Sequence, residues 1–418
     1  MATDAVPAWR EVTIGEIASS VAIGPFGSRL KSDLYETSGV PVVRGSNISD
    51  TRRLSGPFVF VSQRTADSLP NASLVPGDVF FPHRGAIGEV GIVGDEADQR
   101  MLMSTSLMRL SCNPMLAEPR FVYYYFRAPQ GRAALLAHAS TVGTPGIGQP
   151  LRSLRSISIW LPPVEEQRQI AAVASMLDDK IEGNRRLIMR LTALLREAYL
   201  GAVLGVRAAT TLGALGTVVG GDTPRSSVVA FWEPSEIAWV TPRDMTALTG
   251  NPCVWHGERW ISRAGLASSS AKLVPRGSVL YTSRATLGLV AIAQRELATN
   301  QGFITLVPRD GLSSAFVFST LLARSDAIRA KANGATFLEV NKTNFKQVEC
   351  PMPGAERLAV HDSIATPVVD AIAGLAREAN ALIALRDAVL PKLVSGQIRV
   401  PLSNDPEEQV GAAVEALA

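Results

Sequence analysis

The sequence predicts an α+β protein made by tandem duplication: two mixed α/β heads, each followed by a long helix, with the two helices packed as an antiparallel coiled coil. Three observations predict it. Stretches about two hundred residues apart recur in the same order. Short β-branched and aromatic runs fill the first part of each repeat, and a seven-residue apolar pattern fills the second.

The repeat is anchored at several places. Val75–Gly88 is mirrored by Val274–Gly288 with one inserted residue, so that Val79, Arg84 and Gly88 fall on Val279, Arg284 and Gly288. Val40–Ile48 parallels Ile237–Met245, and Leu107–Leu110 parallels Phe303–Leu306. Leu154, Ile157 and Ile159 before Pro162-Pro163 parallel Phe345, Val348 and Cys350 before Pro351-Met352-Pro353. Order preserved over so many anchors marks a duplication, not a chance match.

Within each head, runs such as Phe58–Val61, Val79–Phe81, Val90–Val93 and Val279–Tyr281, bounded by Gly and Pro, read as short strands. After Pro162-Pro163 a helix is expected over Glu165–Leu200, about 50 Å long at 1.5 Å per residue. Ile170, Leu177, Asn184, Leu191 and Ala198 take one core position, and Val173, Lys180, Leu187 and Leu194 the other. Ile181, Ile188 and Leu195 widen the stripe. In the second repeat Val368, Leu375, Leu382 and Val389 recur every seven, joined by Ile364, Ala371, Ile372 and Ala379. Pro367 is expected to shorten or kink the first turns of that helix. Both helices are too long for their own head to cover, so each is expected to pack on the other. Asn184, polar at a core position, reads as a device that fixes helix register.

Length and composition narrow the class. A chain of 418 residues, 46% apolar and 19% charged, suits two or three globular domains. No run approaches the ~18 apolar residues that cross a bilayer, and residues 1–10 lack a signal-peptide layout, so a cytoplasmic protein without a membrane partner is expected. Cys112, Cys253 and Cys350 stand singly, and His83, His138, His256 and His361 fall at no ligand spacing, against a disulfide frame or a zinc site. The net charge of +3 hides an uneven distribution: 15 basic against 13 acidic residues in 1–163, 6 against 6 in 164–203, 15 against 10 in 204–353, and 5 against 9 thereafter. The basic excess lies in the heads.

Catalytic motifs are missing. Asn113-Pro-Met, Asn251-Pro-Cys and Asp405-Pro-Glu all depart from the Asn/Asp-Pro-Pro-aromatic loop of amino methyltransferases, and no Gly precedes a Lys, which excludes a P-loop. Asp178-Asp-Lys180 resembles a nuclease fragment, but on a charged helix it reads as a solvated face or an interruption of the coiled coil.

Five stretches then carry a resemblance: Trp9–Ile17, Gly24–Ser28, Pro41–Ile48, Leu161–Ile170 (Leu-Pro-Pro-Val-Glu-Glu-Gln-Arg-Gln-Ile) and Leu390–Ile398. In this order, with the duplication, the sequence resembles the specificity subunits of Type I restriction-modification systems over nearly its full length. The second helix departs from the pattern, opening Pro353-Gly-Ala-Glu-Arg-Leu358 where the first has Pro163-Val-Glu-Glu-Gln167. The resemblance implies target-recognition domains at 1–162 and 204–353 and spacer helices at 163–203 and 354–398; residues 399–418, outside the family pattern, read as an acidic, disordered tail. It implies a non-catalytic subunit that binds double-stranded DNA and docks two methylation subunits, with restriction subunits in the full complex. S-adenosylmethionine, ATP and magnesium would serve those partners, and this chain would hold no cofactor or metal. A competing reading is a repeat scaffold whose heads bind no DNA.

Duplex DNA is gripped through its phosphates by Arg and Lys, and is read by groups that reach base edges. The repeat-equivalent strand ends supply such groups: Arg44, Ser46 and Asn47 in the first head, Thr241, Arg243 and Asp244 in the second, with Arg84 and Arg284 on equivalent loops. Arg pairs with guanine and Asn with adenine through two hydrogen bonds. Asn47 and Asp244 also suit turns or caps. Two heads that read different half-sites must differ, so Arg84 and Arg284, shared by both, also suit scaffold or phosphate contact.

Overall fold

The structure, a computed structural model, describes residues 9–26, 29–95, 100–140, 145–248, 250–333 and 338–399. The acidic tail beyond Arg399 lies outside the described residues, as do Gly27 and Ser28. The chain forms two compact units: the first holds residues up to Glu182 and from Ala381 onward, and the second holds Gly183–Asn380.

In the first unit, Arg10–Thr13 pairs antiparallel with Ser158–Leu161, joining the two ends of the head. A four-stranded antiparallel sheet runs in the order Ala18–Ile23, Leu107–Cys112, Val79–Pro82, Gly91–Ile92. A second sheet has the order Val59–Val61, Val40–Val43, Met101–Met103, Ser73–Leu74, with Val40–Val43 and Met101–Met103 parallel. The second unit repeats this plan. Ala209–Thr211 pairs with Glu349–Pro351. Gly216–Gly220, Phe303–Pro308, Val279–Thr282 and Val290–Ala293 form the larger sheet, extended by Cys253–Val254. Arg259–Ile261, Ile237–Val240 and Ala298–Thr299 form the smaller, again with one parallel pair. The anchors of the sequence repeat therefore fall on equivalent elements, Val79 and Val279, Ile159 and Cys350 among them on equivalent strands.

Each core is built on an aromatic helix. Pro119–Arg127 buries Phe121, Tyr123, Tyr124 and Phe126 almost completely, and Ser314–Ala323 buries Phe316 and Phe318. Side chains of this size remove roughly 150–250 Å² each from water and dominate a core.

The long helices run Val164–Val203 and Ala355–Val394, forty residues or about 60 Å each. They are antiparallel: partners rise along one as they fall along the other, from Asp178 with Arg386 in the first unit to Asn184 with Glu378 and the Ala202 carbonyl with Arg357 in the second. Each unit thus closes its core with half of each helix. In the first, Ile170, Ala171, Val173 and Ala174 join Val389, Leu390, Leu393 and Val394. In the second, Ile188, Leu195 and Tyr199 join Leu358, Ala365, Val369 and Ile372.

Four expectations are corrected. The second core position of the first helix is Ala174, Ile181, Ile188, Leu195 and Ala202, all buried, whereas Lys180, Leu187 and Leu194 are exposed. Together with Ile170, Leu177 and Asn184 these positions give the alternating three-and-four spacing that a straight seam requires. In the second helix the buried series is Leu358, Ala365, Ile372, Ala379, Arg386 and Leu393, while Ile364 and Ala371 are exposed. Pro367 neither shortens nor interrupts that helix: it lies on the exposed face, where the carbonyl its ring leaves unpaired is open to solvent. Asp178, finally, is not solvated: it is 2% exposed and held by Tyr124 Oη at 2.9 Å and Arg386 Nη1 at 2.8 Å. Its neighbour Asp179 is the exposed one, and pairs with Arg52.

Candidate nucleic-acid interface

In the first head, strand Val40–Val43 ends at Arg44, whose backbone N–H donates to Asn47 Oδ1 at 3.0 Å. Asn47 Nδ2 donates to the Ser55 carbonyl at 3.0 Å, and Arg44 Nη2 to the Pro57 carbonyl at 2.9 Å. Loop 44–57 is thereby laced to itself. Asn47 is fully buried with both ends of its amide used, so its side chain builds the turn and does not reach the surface. Ser46 stands exposed at the tip, and Arg44 is half-buried.

A second loop meets the first. His83 N–H donates to the Ser106 carbonyl, and its own carbonyl accepts from Ile147 N–H, both at 2.9 Å, so the exposed Arg84 projects from a segment pinned on both sides. A side chain added at Gly45 would lie 3.6 Å from Pro82 Cγ and 3.9 Å from Ala86 Cβ, so the Arg44–Asn47 and Arg84 loops share one edge of the head. His83 is nearly buried, with Nε2 3.2 Å from the Thr105 carbonyl and no partner at Nδ1. Burial holds its pKa below the usual imidazole value, favouring the neutral ring.

The second head repeats this with different residues. Thr241 caps the helix Pro242–Ala247, and its N–H and hydroxyl donate to Asp244 Oδ2 at 2.7 and 2.6 Å. Asp244 Oδ1 accepts from Glu258 N–H at 2.8 Å. Both are consumed by the cap, a stronger relation than a base contact would leave room for. Arg243 remains exposed. Ser283 N–H donates to the Gly302 carbonyl at 2.8 Å and its carbonyl accepts from Val340 N–H at 3.0 Å, matching the two bonds of His83. Arg284, half-buried, follows it. The next residue is left-handed in both heads: Gly85 at φ +81° and Ala285 at φ +61°. An alanine there bears about 1–2 kcal/mol of strain, so the loop shape is kept against a local cost.

Sequence reasoning missed an aromatic surface in the second head. Exposed Arg259 lies 3.4 Å over the Trp232 ring, which meets Trp239 edge-on at 5.3 Å. His256 stacks on Trp260 at 5.8 Å, with Arg295 5.1 Å over the same ring. Four of the six tryptophans fall within residues 232–260, and that clustering was the available signal. Planar faces flanked by guanidinium groups offer stacking and cation–π contact. The three cysteines are free, and burial pushes the thiols of Cys112 and Cys253 up to about 12 and that of Cys350 to about 11, leaving no thiolate at neutral pH. Among the described residues no group of His, Cys, Asp and Glu is arranged to hold a metal ion, and no helix is long and apolar enough to cross a membrane.

Two equivalent heads, each offering arginine-bearing loops on a pinned scaffold, and each closed by halves of two antiparallel helices, define a duplicated recognition protein. A family model described as the Type I restriction modification DNA specificity domain matches residues 8–193 and again 209–365. The chain belongs to this family, with two copies of its domain in tandem. The specificity subunit of the Type I restriction enzyme MjaIX from Methanocaldococcus jannaschii is 35% identical over 144 residues, 34% of this chain and 33% of that one. This chain thus aligns with about a third of that relative's length. The HindI specificity subunit from Haemophilus influenzae is 20% identical over 481 residues, covering 93% of this chain and 99% of that one. The crystal structure of the Type I restriction-modification S subunit from M. genitalium shares the fold at a TM-score of 0.58 and 16% identity, over 94% of this chain and 97% of that one.

Proposed function

We propose that this chain is the DNA-specificity subunit of a Type I restriction-modification complex, each head reading one half of a bipartite site in double-stranded DNA. The observation that carries the reading is the duplication: the same family domain occurs twice, with the shared strands in the same order and the same pinned loop pair in each unit. One chain with two such heads suits a site of two parts. DNA contact is assigned to Ser46 and Arg84 in the first head and to Arg243 and Arg284 in the second, with Arg44 beside them; the exposure of Ser46, Arg84 and Arg243 supports this. Asn47, Thr241 and Asp244 hold the loops that present them.

The helices serve as spacer and docking surface for two methylation subunits. Leu187, Met189 and Leu194 on the first helix and Val360 and Ile364 on the second are 43–59% exposed, an apolar set that a partner protein would cover. Methyl transfer from S-adenosylmethionine, and ATP- and magnesium-dependent cleavage by restriction subunits, belong to those partners, and this chain supplies the address.

Co-expression with modification subunits, followed by mapping of methylated adenines, tests the reading. A motif of two short parts separated by a fixed nonspecific gap is expected. A single uninterrupted motif, or none, overturns it.

A further inference from the structure

We propose that Arg386 is a positioning residue that ties the recognition loop of the first head to the long-helix pair, so that the helices govern how one half-site is read. This rests on the DNA-reading role proposed above. Arg386 lies on the second long helix and is 4% exposed. Its Nη1 donates to Asp178 Oδ1 on the first helix at 2.8 Å and to the Asp50 carbonyl at 2.6 Å, and Nη2 donates to Asp387 at 2.9 Å. Asp50 stands three residues beyond Asn47, inside the loop whose tip is Ser46. Two more arginines converge there: Arg127 donates to the Ser49 and Asp50 carbonyls at 2.9 and 2.6 Å, and Arg52, from the loop itself, reaches Asp179 on the first helix at 2.5 Å.

The duplication supplies an internal control. The buried series Ala174, Ile181, Ile188, Leu195, Ala202 of the first helix matches Ala365, Ile372, Ala379, Arg386, Leu393 of the second at one constant offset, which also pairs Asp178 with Val369. At the place where the first unit buries Asp178 and Arg386, the second buries Val369 and Leu195. The seam therefore packs without an ion pair. A buried pair gains little over well-packed apolar residues, because both charges must be stripped of water, so its presence in one unit alone calls for a role other than stability. The donation to the Asp50 carbonyl supplies that role, since neither leucine nor valine can hold a backbone carbonyl.

Two double variants in the full-length subunit test the tether. Asp178→Val with Arg386→Leu copies the second unit. Asp178→Arg with Arg386→Asp keeps opposite charges on the seam but leaves an acceptor facing the Asp50 carbonyl. Amide hydrogen exchange at Thr51, which donates to Ser49 Oγ, and at Ser55, which donates to the Asn47 carbonyl, reports the loop directly. In both variants exchange there is expected to quicken about tenfold or more, the scale of a lost charged hydrogen bond. Meanwhile amides of strand Val79–Pro82 keep their protection. In the methylation complex the variants should admit extra bases in one half of the motif and leave the other half unchanged. Unchanged exchange at Thr51 and Ser55 in a folded variant overturns the tether, as does equal relaxation of both halves, or recovery of parental behaviour by the charge swap. Faster exchange in variants of a subunit whose parental complex yields no two-part motif sinks the DNA-reading role and leaves the tether standing.

Discussion

Removing the Arg386 guanidinium alone leaves the Asp178 carboxylate without its balancing charge, held by Tyr124 Oη alone and 2% exposed, and leaves the Asp50 carbonyl to Arg127. Breaking one partner of a buried pair costs about 3–5 kcal/mol, far more than replacing both. Arg386→Leu should therefore destabilise the first unit by that amount, while the apolar double substitution recovers most of the loss. The single variant also carries a pH signature. Burial already pushes the Asp178 carboxyl above its ordinary range, with Arg386 pulling it back, so without Arg386 the folded state holds a proton that the unfolded chain has released. Stability of the variant relative to the parent then falls as pH rises through the window above the ordinary carboxylate value. Denaturant midpoints of the two proteins should lie closest near pH 4 and farthest apart at neutral pH; a constant separation would refute the assignment. His83 acts in the opposite sense. Its folded pKa lies below the unfolded value of about 6.5, so the unfolded chain takes up the proton first and stability is lost as pH falls below that point. His83→Ser, which copies Ser283 of the second head, should flatten the denaturant-midpoint profile between pH 7 and 5. At this scale the sequence pointed to these loops but not to which of their atoms are tied up within them. Asn47 and Asp244 carry the chemistry of base readers, yet whether an amide or a carboxylate faces water or its own loop depends on partners eight to fourteen residues away.

The long helices show where element-level reasoning succeeds and where it slips by one position. Their existence, length and mutual packing were legible from the seven-residue period. The seam was misplaced because Leu187 and Leu194 are as apolar as the residues buried beside them, Val173 of the same expected series is itself buried, and only Lys180 broke the false stripe. Under the docking role proposed above, exposed leucines of this kind belong to a partner surface, and a pattern count cannot separate them from core. Arg386 was illegible for the converse reason: a charge in a buried series looks like an interruption until its partner on the other helix is known. Asn184 is clearer. It is 4% exposed and its Nδ2 donates to Glu378 Oε2 at 3.0 Å across the seam, the arrangement of a polar core residue that fixes register at some cost in stability. Asn184→Leu is expected to raise stability by about 1 kcal/mol, the inverse of that cost, while leaving the recognised sequence unaltered. Thermal unfolding and methylation mapping check the two parts, and a changed recognition sequence would show that Asn184 contributes to reading.

At the scale of the molecule the duplication was the most legible feature, since repeat anchors such as Val79 with Val279 and Ile159 with Cys350 fall on equivalent strands. Less legible was that each compact unit takes half of both helices, because helices separated by residues 204–354 reveal nothing of which halves meet. That exchange makes the unit boundaries, after Glu182 and after Asn380, the places where both helices can be lengthened without disturbing either head. Gly183 is suited to this, as a side chain added there would meet nothing within 4 Å. Inserting seven helical residues at each boundary adds about 10 Å and turns the seam by only about 20°, so both halves keep their register. Ten ångströms is about three base pairs of duplex. If the helices space the heads, methylation mapping should find the same two half-sites with the gap longer by about three. Affinity should be reduced, because three base pairs also rotate one half-site by roughly 100° about the DNA axis. Insertion of four residues in place of seven would shift the apolar faces by about 40° and should cost stability before it changes the gap. A gap that stays fixed in a folded, seven-residue insertion variant would mean that the heads find their half-sites independently of the helices.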